Sequence, residues 1–172
     1  MNLFGPVIFI DDEEEVRLSG AQALEIEGFE VIPLDSAKAA LDYISVTWPG
    51  IIVTDVKMPF ISGLELLHRT VAIDKDLPVV LITGHGDVSM AVDAMHAGAY
   101  DFIEKPFNTD RLLMVVERAI DDARLRRENR ELTLRAGGDT ELVGKSSVLN
   151  NLRQSAERVA RTGSRILIHG PA

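Results

Sequence analysis

Between residues 7 and 103, short apolar runs and amphipathic stretches alternate five times. Val7-Ile8-Phe9-Ile10 predicts a strand, and residues 13–27 predict a helix whose apolar positions are Val16, Leu18, Ala21, Leu24 and Ile26. A second strand is expected over Phe29-Glu30-Val31-Ile32, with Ser36 placed to cap a helix through Ala40 and Ile44. Ile51-Ile52-Val53-Thr54 predicts the third strand, and a helix with Leu64, Leu66, Leu67 and Val71 follows Gly63. Val79-Val80-Leu81-Ile82, opened by Pro78 at a tolerated position, predicts the fourth strand. Asp87 starts a helix carrying Val88, Ala91, Val92 and Met95, Gly98 ends it, and residues 100–103 form the fifth strand.

Strands written as unbroken Val/Ile runs are buried on both faces, which requires a parallel sheet covered by helices. Five such β and α units define a doubly wound α/β domain. Sites in these open sheets lie beyond the carboxyl ends of the strands.

After the fifth strand, residues 109–135 read as one long helix. Its first half is amphipathic through Leu112, Leu113, Val116 and Ile120 and completes the domain. The second half is mostly charged, with Leu125, Asn129 and Leu132 spaced four and three apart, the spacing of a dimeric coil seam and equally that of a solvated linker. Ala136-Gly137-Gly138-Asp139 is expected to break this helix. A helix over 147–159 and a strand over 165–168 come next, too little to bury a core alone, so they read as the front edge of a second, truncated domain. The expected organisation is a domain over 1–120, a helical linker over 121–139 and an incomplete domain over 140–172.

Charge sharpens this division. Residues 1–107 hold 18 acids against 6 Lys/Arg, a net of −12, whereas 108–172 hold 9 against 12, a net of +3. An acidic front half suits a divalent cation better than a nucleic-acid backbone. The absence of cysteine excludes disulfides and thiolate chemistry. No apolar run reaches the length of a membrane span, and the start carries no basic residue of the kind a signal peptide needs, so a cytosolic protein is expected.

The chemistry sits at the strand ends. Strand one runs into Asp11-Asp12, strand three into Asp55, strand four into Thr83 and strand five towards Lys105. Taken singly, each has a plain structural use: a helix cap for the acids, turn chemistry for Thr83-Gly84, a loop for Lys105-Pro106. Together they deliver three carboxylates, a hydroxyl and an ammonium to one sheet edge. Clustered carboxylates repel unless a cation offsets them, and Mg²⁺ fits, since it takes one or two carboxylates plus water and phosphate oxygens. Asp55 is then the candidate nucleophile, Lys105 and Mg²⁺ offset charge on a transferred phosphoryl group, and Thr83 donates a hydrogen bond to it. His68, His85, His96 and His169 lie in different segments without ligand spacing and read as surface or loop residues.

In these residues, and in residues 54–59, 62–67 and 98–107, the chain resembles response-regulator receiver domains over 6 to about 120. The resemblance implies the CheY-like sheet order 2-1-3-4-5, phosphorylation of Asp55 by a sensor histidine kinase, and a cis Lys105–Pro106 bond. It implies Mg²⁺ held by Asp12, Asp55 and the backbone carbonyl of Lys57, with Asp11 acting through water. Phe102 occupies the family's switch position, where Tyr is common; a plain core Phe is the alternative. Phe60-Ile61 is more apolar than the usual loop there and suggests a contact surface. Residues 142–170 resemble the opening of the AAA+ domain of the nitrogen-regulation (NtrC) class of sigma-54-dependent activators, and within that class residues 82–87 and 101–107 look most like the dicarboxylate-transport regulators. The Lys and Ser/Thr that complete a P-loop are not in the chain, and Gly144-Lys145-Ser146 lacks the upstream strand and glycine of one. That resemblance implies a homodimer whose full-length form contacts DNA and sigma-54 RNA polymerase. Two alternatives stand beside it: a Mg²⁺-dependent phosphotransferase of the haloacid-dehalogenase type, and an unphosphorylated dimerisation module.

Overall fold

The computed structural model describes residues 5–84 and 88–138. The chain divides into two compact units, 1–129 and 130–172. In the first, five strands alternate with helices in the predicted order: β1 Val7–Ile10, α1 Glu14–Ile26, β2 Val31–Leu34, α2 Ala37–Ala40, β3 Ile51–Asp55, α3 Gly63–Ile73, β4 Val79–Thr83, α4 Val88–His96 and β5 Asp101–Glu104. The last helix, α5, spans Thr109–Gly138, and its residues 130–138 are what is described of the second unit. The sheet is parallel throughout, in the order β2-β1-β3-β4-β5.

Alternation along the strands sorts the core into two layers. Val7 and Phe9 of β1 pack with Leu24 of α1 and with Leu112, Val116 and Ala119 of α5. Ile8 and Ile10 face the other way, towards Ala40 of α2, Leu66 and Leu67 of α3 and Ala94 of α4. Every residue of β1, β3 and β4 is buried, as the unbroken apolar runs require. Each fully buried Leu or Ile contributes about 1.5–3 kcal/mol relative to exposure.

Local chemistry sets the element ends. Gly28 sits at φ 91°, and the Phe29 N–H returns to the Leu24 carbonyl, closing α1 with a left-handed cap. Phe29 is thereby drawn into the core, and β2 begins at Val31, two residues later than expected; Pro33 is accommodated because β2 is an edge strand. Ser36 stands at the start of α2 without a side-chain cap bond, and that helix is one turn long, so Ile44 is buried from the irregular segment after it instead of from a helix. At α3 the Ser62 hydroxyl accepts the Glu65 N–H and caps the helix. Residues 136–138, expected to break α5, are helical through Gly138.

The start of α4 at Asp87, the helix over 147–159, the strand over 165–168, and His85 and His169 lie outside the described residues. So does the whole of the expected 140–172 domain.

Candidate functional site

Each strand of the inner sheet ends on a residue that carries chemistry. Asp11 follows β1 and is fully buried; Asp55 is the last residue of β3 and 5% exposed; Thr83 is the last of β4 and also buried. The Lys105 N–H donates to the Thr83 carbonyl at 2.7 Å, so β5 stays zipped to β4 up to the residue that bears the ammonium. The Lys105–Pro106 peptide is cis.

Lys105 Nζ lies 2.9 Å from Asp11 Oδ2 and 3.0 Å from Asp55 Oδ1, with Glu13 Oε1 at 3.4 Å. The second oxygen of each buried carboxylate takes a backbone donor two residues on: Glu13 N–H to Asp11 Oδ1 at 2.9 Å, and Lys57 N–H to Asp55 Oδ2 at 2.8 Å. Burial pushes the Asp55 carboxyl above its usual range, outweighing the hydrogen bond and charge of Lys105 that pull it down. Burial also works against the charge on Lys105, but the hydrogen bonds to Asp11 and Asp55 more than compensate, and its ammonium is held well above the ordinary lysine value. Lys105 is therefore a fixed cation.

The backbone around Asp55 is shaped by close approach. A Cβ on Gly63 would stand 2.3 Å from the Asp55 carbonyl oxygen, so the first residue of α3 must lack one. The Gly63 N–H donates to the Val56 carbonyl, and the Val56 N–H to Ile82, locking the exit of β3 between α3 and β4.

Asp12 and Glu13, unlike Asp11 and Asp55, are exposed. Four carboxylates (Asp11, Asp12, Glu13, Asp55) share this edge with the Lys105 ammonium and the Arg17 guanidinium, an excess of negative charge that favours a divalent cation. No three acidic or histidine side chains among the described residues converge as a ready metal cage. Mg²⁺ needs only one or two carboxylates, so the donor set of Asp12, Asp55 and a nearby carbonyl fits it.

The sequence expectations meet the structure unevenly. Asp11, Asp55 and Lys105 are in direct contact, Thr83 lies beside them at the end of β4, and Lys57 touches Asp55 through its backbone. Phe102 is 38% exposed, which removes the core alternative. Two residues were missed. Glu13 reaches Lys105, and Arg17 Nη1 donates to the Asp11 carbonyl at 2.7 Å, with the Asp12 carbonyl at 3.5 Å. The spacing contains the signal for Arg17: side chains lean towards a helix N-terminus, so a long residue in the early turns of α1 covers the β1–α1 junction. His68 and His96 are exposed, in keeping with the surface assignment.

A parallel 2-1-3-4-5 sheet with a buried Asp–Lys–Asp contact at its carboxyl edge defines a receiver domain, and residues 7–117 match the family "Response regulator receiver domain". The chain belongs to that family. Within it, the chain is similar to the C4-dicarboxylate transport transcriptional regulatory protein DctD of Rhizobium meliloti, at 42% identity over 95% of this chain and 36% of the relative. It is also 44% identical to the nitrogen assimilation regulatory protein NtrX of Azorhizobium caulinodans, over 96% of this chain and 37% of that protein. Among solved structures, NtrX from Brucella abortus in complex with ADP superposes with a TM-score of 0.69 at 40% identity, covering 95% of this chain and 36% of that one. A receiver domain protein from Clostridium thermocellum gives 0.67 at 31% identity, covering 70% of this chain and 98% of its own. The chain therefore spans little more than a third of the curated relatives it matches. No helix among the described residues is long and apolar enough to cross a membrane.

Proposed function

We propose that Asp55 accepts a phosphoryl group from the phosphohistidine of a sensor histidine kinase. The observation that carries this is the shared ammonium: Lys105 touches both Asp55 and the buried Asp11 at salt-bridge distance. An Asp55 oxygen attacks phosphorus, the P–N bond of the donor breaks, and the imidazole departs with the bond's electron pair. The nucleophile is oriented before the donor arrives, because one oxygen is held by Lys105 and the other by the Lys57 N–H. Lys105 is placed to move its contact from carboxylate to phosphoryl oxygen as charge develops there.

Mg²⁺, held by Asp12, Asp55 and the Lys57 carbonyl, with Asp11 acting through water, would offset phosphoryl charge that one ammonium leaves uncompensated. Thr83 donates to the phosphoryl group and Phe102, exposed on β5, responds to that change as the switch residue. Residues 121–139 serve as a linker for a homodimer; Leu125 and Leu132 are both exposed on α5, seven residues apart. Residues 140–172 open an AAA+ domain, and in the full-length protein phosphorylation controls a sigma-54-dependent activator that contacts DNA and sigma-54 RNA polymerase. The family match gives no support to the haloacid-dehalogenase alternative.

The test is labelling by acetyl phosphate with Mg²⁺. Wild type should gain one phosphoryl group, and Asp55→Asn or chelation of Mg²⁺ should abolish the gain. An unlabelled wild-type chain would favour the unphosphorylated dimerisation module; a labelled Asp55→Asn chain would move the acceptor elsewhere.

A further inference from the structure

Arg17 stands where helix stability alone would not ask for it. It is the fourth residue of α1, and a cation in the first turns of a helix works against the helix dipole. Five acids stand directly before it, Asp11 to Glu15, yet its guanidinium goes to main-chain oxygens. Nη1 donates to the Asp11 carbonyl at 2.7 Å, and the Asp12 carbonyl lies at 3.5 Å. The segment it reaches is the short junction that leaves the sheet at Ile10 and enters the helix at Glu14. Asp11 is tied at three further points there: by its N–H to the Leu34 carbonyl, by Lys105, and by the Glu13 N–H. Asp12 is exposed, so packing does not set its direction.

We infer that Arg17 is a positioning residue for Asp12, and through it for Mg²⁺; this rests on reading Asp12 as a ligand of that ion. A peptide unit is planar, so the Asp11 carbonyl fixes the plane that leads into Asp12 and the Asp12 carbonyl fixes the plane that leads out. Holding both sets φ and ψ of Asp12, and with them the direction of its Cβ. The nearer contact does most of this: a charge-assisted bond of 2.7 Å is strong, whereas 3.5 Å is at the limit of a hydrogen bond. Direction matters for this ion, because Mg²⁺ demands near-octahedral geometry and takes few carboxylates. Groups that orient a metal ligand typically govern metal affinity by about 10–100-fold. The bare charge of Arg17 acts the other way, since a guanidinium beside an acidic cluster repels a divalent cation. The two effects therefore predict opposite signs for its removal.

The experiment titrates Mg²⁺ into wild type, Arg17→Gln and Arg17→Lys by isothermal calorimetry, at a temperature where circular dichroism shows the chains folded. Arg17→Gln should bind Mg²⁺ about tenfold more weakly or worse, although it has lost a positive charge. Arg17→Lys keeps the charge and can reach the nearer carbonyl, but it lacks the planar fork that spans both, so its affinity should fall between. The Mg²⁺ concentration that half-saturates labelling by acetyl phosphate should rise in the same order. Affinity in Arg17→Gln equal to or tighter than wild type would overturn the inference. A lowered melting temperature with unchanged Mg²⁺ affinity would do the same, leaving Arg17 a structural prop. Should Arg17→Gln not fold, Arg17→Lys decides: a loss of about threefold or more supports the inference, and wild-type affinity overturns it. A wild-type chain that binds no Mg²⁺ would instead strike the metal reading itself.

Discussion

Replacing Lys105 by Met keeps much of the aliphatic stem and removes the one ammonium that two buried carboxylates share. Asp11 is fully buried and the Asp55 side chain is 7% exposed, so neither can recover its hydration without a structural shift. Stranding one partner of a buried pair costs about 3–5 kcal/mol. The Lys105 side chain is 22% exposed, and solvent screening lowers the expected loss to about 3 kcal/mol. For a domain of this size that is a fall in Tm of roughly 10–15 °C at pH 7. The sign with pH is fixed by the carboxylates. Without the ammonium, burial and the neighbouring Asp11 charge hold the folded pKa of Asp55 above the unfolded value of about 3.9. The penalty from Asp55 is then complete above its folded pKa and disappears as pH falls below about 4. Lys105 itself stays charged in wild type across this window, its pKa being raised. Thermal unfolding of both chains from pH 3.5 to 8 gives the answer, and Mg²⁺ should return part of the lost stability at pH 7. A variant that melts with wild type at pH 7, or with a deficit independent of pH, would refute the shared-ammonium account.

Asp55→Asn should behave in the opposite way. Burial raises the folded pKa of Asp55, so its ionised form opposes folding above that value, and the Asn chain should melt at or above wild type at pH 7, with the margin closing towards pH 4. A deficit at pH 7 that persists at pH 4 would contradict this. Gly63→Ala forces a Cβ against the Asp55 carbonyl and should cost about 1–3 kcal/mol, together with slower labelling of Asp55 by acetyl phosphate; unchanged melting and labelling would show the contact to be soft. Deleting residues 121–135 should weaken self-association in sedimentation velocity, and an identical profile would remove the linker coil from the account.

The sheet was legible because its strands are buried on both faces. Residues 7–10, 51–54 and 79–82 can do little else but form interior parallel strands, and the polar residues just beyond them had to share an edge. The edge strand was harder. Phe29 reads as the start of β2 by hydropathy, but the left-handed turn at Gly28 spends it on the core beneath α1. The length of α2 depended on packing that periodicity does not encode, and α5 ran through two glycines that local propensity would stop at. At the site, acid clustering suggested a metal as the neutralising partner. Much of that task falls to Lys105, which chain order alone could place at the edge but not in contact with both acids. Glu13 and Arg17 escaped notice because in sequence they belong to an ordinary charged helix start. Phe60 was visible as an oddly apolar loop residue, whereas its left-handed backbone, a strain of about 1–2 kcal/mol, was not.

The most direct measurement is chemical mapping of the acceptor. After incubation with acetyl phosphate and Mg²⁺, borohydride reduction converts an aspartyl phosphate to the corresponding alcohol, and peptide mass spectrometry locates it. Asp55 should be the modified residue, with Asp11 and Asp12 untouched. Modification at either of those, or at none of the three, would contradict the assignment of Asp55 as the nucleophile that Lys105 serves.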